Sequence, residues 1–134
     1  MPIINVTVSK TLNPAQRAEI AAGVSALTAQ HLHKDPKITA VIVHDVDPAT
    51  WFVGGPSLAD QGLASYWLDI KVVQNAKDEK AAYLAAIYAF MTEKLGPLHP
   101  ESYAFVHEVS ADAYGFTGLT QERRYIAKQL GVAL

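Results

Sequence analysis

One order of elements occurs twice in this sequence, and that repetition limits the folds open to it more than any single residue does. Ile3 to Val8 alternates as a strand, and Asn13-Pro14-Ala15-Gln16 then reads as a helix start, with Asn13 as N-cap, Pro14 at N1 and Gln16 at N3. Ile20, Val24 and Leu27 continue that helix on one face to about His31, and Asp35-Pro36 breaks it. A β-branched run, Ile38 to Asp45, predicts a second strand, and Trp51-Phe52-Val53-Gly54-Gly55 predicts a short aromatic strand closed by glycines. After a Gly/Pro/Ser-containing connection the series begins again. Tyr66 to Val73 is a strand, and a helix from about Asp78 carries Leu84, Ile87, Tyr88, Met91 and Leu95 and stops at Gly96-Pro97. Tyr103 to Val109 is the next strand, and Tyr114 to Gly118 the second aromatic hairpin.

An offset of about 64 residues places Pro2 on Tyr66, Pro36 on Pro100, Ala40 on Ala104, Phe52 on Phe116 and Gly54 on Gly118. A one-residue adjustment places Val43-His44-Asp45-Val46 on Val106-His107-Glu108-Val109. A duplicated β-α-β unit pairs naturally into an α/β fold: a four-stranded mixed sheet with two helices on one face. The expectation is one domain over 1–134, with pseudo-repeats 2–55 and 65–118. Thr120 then caps a C-terminal helix, Gln121 to Leu130, outside the repeat and ended by Gly131.

The chain has 134 residues, enough to bury about two-thirds of its unfolded surface in one core. Its formal net charge of −2, with basic residues scattered, offers no electrostatic footprint for nucleic acid or an anionic membrane. It has no cysteine, so disulfide and thiolate chemistry are excluded, and its apolar runs fall far short of the ~20 residues of a membrane span. A cytoplasmic location is expected. Ile3, Val41, Val43, Trp67 and Val73 predict an apolar sheet face opposite the helices, which calls for self-association. No metal-ligand spacing or glycine-rich phosphate loop is present, so neither a metal nor a cofactor is expected.

Pro2 stands directly before the first strand. Initiator methionine is normally removed before so small a residue, which would leave a secondary amine with φ fixed near −65°. An α-amine titrates near roughly 7.7–8.0, so modest desolvation or a nearby cation leaves it neutral, as a base or a nucleophile toward carbonyls.

A Pro2-led strand, a helix, a second strand and a Trp-Phe-Val-Gly-Gly hairpin, all duplicated, closely resemble the tautomerase superfamily, in its fused, double-length form. The resemblance covers about residues 2–118. It implies a cofactor-free enzyme acting on a small keto or enol acid, with Pro2 shuttling the proton, assembled as a homotrimer. Hydratase, dehalogenase or decarboxylase chemistry, and a non-catalytic oligomer, are the alternatives it leaves open. It also implies that Trp51 and Phe52 wall the site and that Glu108, where dehalogenase members keep a water-activating carboxylate, is a second catalytic group. The family grips substrate carboxylate with arginines after the first strand of a unit and in the next strand. Here those positions hold Leu12, Asn75-Ala76 and Ala40, and the three arginines, Arg17, Arg123 and Arg124, lie in helices. Lys10, Lys71 and Asn75 remain as candidate substrate contacts, with Lys77, Tyr103 and Tyr114 nearby. The missing clamp predicts a weakly charged carbonyl compound or mono-acid over a dicarboxylate.

Overall fold

The structure, a computed structural model, describes residues 1–134. Its elements are β1 (Ile3–Val8), α1 (Pro14–Leu32), β2 (Ala40–Asp45), α2 (Leu58–Gln61), β3 (Tyr66–Val72), α3 (Lys77–Leu95), β4 (Tyr103–Glu108), a ribbon of β5 (Gly115–Phe116) and β6 (Leu119–Thr120), and α4 (Gln121–Leu130). The four long strands form one mixed sheet in the order β2-β1-β3-β4. Each half is a parallel pair, β1 with β2 and β3 with β4, and the halves join through antiparallel β1 and β3.

Local chemistry places the helices where the sequence puts them. Asn13 Oδ1 accepts from the Gln16 N–H at 2.8 Å while Gln16 Oε1 accepts from the Asn13 N–H at 3.0 Å, a complete capping box. At the start of α3 only half of that box exists, because Ala76 has no acceptor; Glu79 Oε1 takes the Ala76 N–H at 2.8 Å. Thr120 Oγ1 caps α4 by accepting from the Arg123 N–H, and Gly131 ends that helix at φ 67°.

Two expected strands are shorter in the structure. β2 begins at Ala40 because Asp35 Oδ1 captures the Lys37 N–H and winds Pro36–Ile38 into a 3-10 turn. Trp51–Gly55 makes a single bridge, Phe52 to Ser57, because Gly54 and Gly55 turn at once through φ 70° and 115°. The connection after it holds α2, a one-turn helix that Ser57 caps at the Asp60 N–H.

The core lies between the sheet and α1 with α3. Ile4, Val6 and Val8 of β1 and Tyr66, Leu68, Ile70 and Val72 of β3 meet Ile20, Val24, Tyr83, Ile87 and Met91. Gly23 lets α1 approach α3: a Cβ there would lie 2.2 Å from the Phe90 ring. Tyr83 and Thr28 are fully buried and hydrogen-bonded at 2.9 Å. Thr28 spends its own proton on the Val24 carbonyl, so Tyr83 is the donor. Burial pushes the Tyr83 hydroxyl up to about 12.

The open sheet face carries exposed apolar side chains, with Trp67 among them as expected, but two of the expected members lie elsewhere. Val41 and Val43 pack on the core, whereas Ile42, Trp67, Tyr103 and Phe105 stand about half exposed on the other side. The strand period of two decides this: Ile42 follows Ile3 and Asn5 in register, and Val41 follows Ile4. No helix is long and apolar enough to cross a membrane.

Candidate active site

The duplication extends further than its sequence pattern indicated. From the start of the first long helix onward the offset is 63, not 64. Val46 N–H donates to the Val8 carbonyl as Val109 N–H donates to Val72. The 3-10 turn Pro48–Thr50 matches Ala111–Ala113, and Trp51 and Tyr114 follow with φ −113° and −115°. Gly54 and Gly55, at φ 70° and 115°, match Thr117 and Gly118, at 45° and 80°. The Trp51 carbonyl accepts from Leu58 N–H and the Tyr114 carbonyl from Gln121 N–H, both at 2.8 Å. Ser57 caps α2 as Thr120 caps α4. Gly54 therefore has Thr117, not Gly118, as its counterpart, and Val53, not Phe52, is the counterpart of Phe116. α4 follows its hairpin as α2 follows the first, at the same offset of 63, which sets Arg124 at the position of Gln61.

Each repeat builds a cleft where its hairpin and helix fold back on the sheet, and the two clefts lie at opposite sheet ends, about 20 Å apart along β1. The one beside the N-terminus holds about 590 Å³ and is lined by Met1, Val73, Gln74, Ala111, Gln121, Glu122, Arg124, Tyr125 and Lys128. The other holds about 290 Å³, and Ser9, Lys10, Pro48, Leu58, Ala59 and Gly62 occupy the matching positions. There Leu63 and Ala64 also line the wall, because the chain runs straight on into β3.

At the first cleft the Met1 amine donates to the Ile38 carbonyl at 2.8 Å, and the Pro2 carbonyl accepts from Ala40 N–H at 2.9 Å. Pro2 itself is buried. Burial lowers the affinity of the terminal amine for its proton, Arg124 and Lys34 lower it further, and Asp35 opposes them. Tyr114 wedges its hydroxyl into the ladder at the end of β1, accepting from Ile3 N–H at 3.0 Å and donating to the Lys71 carbonyl at 3.2 Å. Arg124 lies 3.4 Å over the Phe116 ring and takes part in none of the five ion pairs of the chain. No three His, Asp or Glu side chains converge to hold a metal.

Of the residues singled out in the sequence, the structure gathers few around Pro2. Trp51 and Phe52 follow β2, which runs parallel to β1, so they stand at the Val8 end. Lys10 lines the second cleft. Lys71 is at the Pro2 end, on the open sheet face, paired with Asp69. Asn75 is a brace: its N–H donates to Glu108, and its Nδ2 donates to the Leu32 carbonyl at 3.0 Å and to Glu79. Glu108 pairs with Lys80 at 2.6 Å, and this contact, then the Asn75 N–H, holds its carboxyl below the usual carboxylate range. Asp45 repeats the arrangement with Leu12 N–H and Arg17. A clip present in both halves points to a structural duty, and β3 lies between Glu108 and the Pro2 strand.

Gln74, Ala111, Gln121, Glu122, Tyr125 and Lys128 are cleft residues that the sequence pattern did not bring forward, and Arg124 was placed only in a helix outside the repeat. Their signal was available: Ser57 and Thr120, 63 positions apart, are both hydroxyl N-caps after a glycine turn.

The family profile described as "Tautomerase enzyme" matches residues 2–61, the first repeat with its helix α2 included. "Probable tautomerase K2" of Dickeya dadantii (strain 3937) is 32% identical over 62 residues, which cover 46% of this chain and 92% of that protein. The chain belongs to the tautomerase family. The chain also has relatives in fold. A fused 4-OT, described as a wild-type symmetric trimer, superposes with a TM-score of 0.77 at 17% identity, covering 90% of this chain and 96% of that one. The macrophage migration inhibitory factor-like protein of Entamoeba histolytica superposes at 0.75 with 18% identity, covering 89% and 97%. The tautomerase match ends at Gln61, where α2 ends.

Proposed function

We propose that this chain is a cofactor-free tautomerase that interconverts a small 2-oxo acid and its enol, with the Pro2 nitrogen as general base once Met1 has been removed. The observation that carries the reading is the placement of the amino terminus: it lies, partly desolvated, in the wall of a charged cleft that also holds a guanidinium with no acidic partner. Removing Met1 vacates part of that wall and turns the Pro2 nitrogen into the terminal amine. Neutral, it takes the enol hydroxyl proton and returns it to the adjacent carbon; a C–H bond forms, an O–H bond breaks and no other reactant is consumed. The second cleft has no counterpart of this group, because the residue matching Pro2 is Tyr66, inside the chain.

A hydratase or dehalogenase reading needs a carboxylate free to activate water, and Glu108 is engaged by Lys80 and Asn75. Glu108 therefore has no part in the proposed reaction. The half-exposed Ile42, Trp67, Tyr103 and Phe105, together with the trimeric fused 4-OT of the same fold, support a homotrimer closed through the open sheet faces. Trp51, Phe52 and Lys10 can then meet a Pro2 cleft only from a neighbouring subunit.

The test is a panel of enol and 2-oxo acids offered to the processed protein and to Pro2→Ala. Turnover of at least one, lowered by at least a hundredfold in the variant, supports the proposal; no turnover of any member contradicts it. A monodisperse monomer in solution would overturn the trimer.

A further inference from the structure

We infer that Arg124 is the carboxylate grip of this cleft and that the cleft accepts one substrate carboxylate, not two. The inference rests on the reading of the Pro2 end as the active site.

The cations of the chain sort by what already occupies them. Arg17 is spent on Asp45, Lys80 on Glu108, Lys71 on Asp69 and Lys94 on Glu19. Lys34 donates to the Gln74 carbonyl. Arg124 is half-buried and has no carboxylate, and the stack on Phe116 fixes the plane of its guanidinium without using its N–H donors. A planar fork held in one orientation at a cleft wall suits a bidentate carboxylate. Met1 and Arg124 line the same cleft, so the terminal amine and the guanidinium can address one ligand.

The same wall argues against a second carboxylate. Glu122 lines the cleft from the first turn of α4, Val73, Ala111 and the ring of Tyr125 give it apolar surface, and Gln74 and Gln121 contribute only neutral amides. A substrate held at Arg124 thus lays its other end against apolar surface, a neutral amide or a like charge. Only Lys128, exposed, offers a further cation. The ligand class is a 2-oxo monocarboxylate with a small apolar or aromatic tail. The corresponding position in the second cleft is Gln61, whose amide closes its own hairpin on the Val53 and Pro56 carbonyls and presents no charge.

Binding separates this inference from the proposed reaction. Benzoylformate is a 2-oxo monocarboxylate with no enolisable hydrogen, and 4-carboxybenzoylformate adds a carboxylate to the same scaffold. Calorimetric titration of the processed protein should show the monocarboxylate binding at least tenfold more tightly than the dicarboxylate. Arg124→Ala should weaken the monocarboxylate by about tenfold to a hundredfold, as loss of a charge-assisted contact does. Arg124→Lys should recover part of the loss, and Glu122→Gln should narrow the gap between the two ligands. A dissociation constant for folded Arg124→Ala or Arg124→Lys within twofold of wild type would overturn the inference, as would preference for the dicarboxylate or no binding of either ligand. Binding that behaves as expected without turnover of any enol acid would fault the proposed reaction and leave the grip standing.

Discussion

The two ends of the sheet share one set of local features and differ in what lines their clefts. Both have the strand-end carboxylate clip, the 3-10 turn, the positive-φ pair and a hydroxyl-capped helix. At one end the helix is four residues long, the cleft is lined by Leu58, Ala59 and Gly62, and the chain passes through as a peptide. At the other the helix is ten residues long, its matching positions are Gln121, Glu122 and Tyr125, and Met1 is part of the wall. What is shared holds the fold together; what differs is where function is to be sought. Glu108 stood out as a catalytic candidate in the sequence and is shared, whereas Arg124 did not stand out and is not.

The core belongs to both halves, so damage to either should be equally severe. Ile4 and Leu68 are counterparts, both fully buried. Each, changed to Ala, should cost about 2–5 kcal/mol. Denaturant unfolding at fixed protein concentration should remain a single transition for both; two separate transitions would show that the halves fold apart.

Tyr114 and Trp51 are counterparts that diverge in chemistry. Tyr114→Phe leaves the Ile3 N–H and the Lys71 carbonyl without their bridge, a loss of about 1–3 kcal/mol. Because these groups anchor the strand that begins at Pro2, kcat should fall with the stability, whereas Trp51→Phe should leave stability within about 0.5 kcal/mol. Tyr83→Phe should cost less, about 1 kcal/mol, since Thr28 keeps its bond to Val24 and loses only a donor. Thermal or denaturant unfolding reads all three.

The smallest effects concern the clips. Asp45 and Glu108 both titrate below their ordinary range, Asp45 chiefly through the Leu12 N–H and then Arg17, Glu108 through Lys80 and then Asn75. A depressed carboxylate stabilises the fold above its unfolded pKa and loses that contribution as pH falls through the folded one. Melting temperature should therefore drop between about pH 5 and pH 3, and less steeply in Asp45→Asn and Glu108→Gln. Glu108→Gln should keep kcat/KM within threefold; a large loss with the fold intact would restore Glu108 to the catalytic machinery and break the equivalence of the clips.

The fold was legible because it rests on local signals: strand alternation, the Asn13–Gln16 capping box and the stop at Gly96-Pro97. The site was less so. A one-residue slip in the repeat hid α2, and with it the kinship of Arg124 to Gln61. Which hairpin meets Pro2 depends on β1 and β3 being antiparallel, which sends the Trp51 hairpin to the far end and brings Tyr114 near. No local pattern states that. The open sheet face shows the same limit: Val41 and Val43 are as apolar as Ile42, and only register assigns them to opposite sides.

The central claim is that one amine, on Pro2, makes one end of the sheet catalytic. The direct test is to confirm loss of Met1 by intact mass, acylate the terminal nitrogen selectively, and follow turnover of an enol acid that the unmodified protein converts. Turnover should vanish with the fold and oligomer unchanged, and the pH profile of the unmodified protein should rise along a basic limb centred below the ordinary α-amine value. Full activity after complete acylation, or in a protein whose mass still includes Met1, would contradict the account.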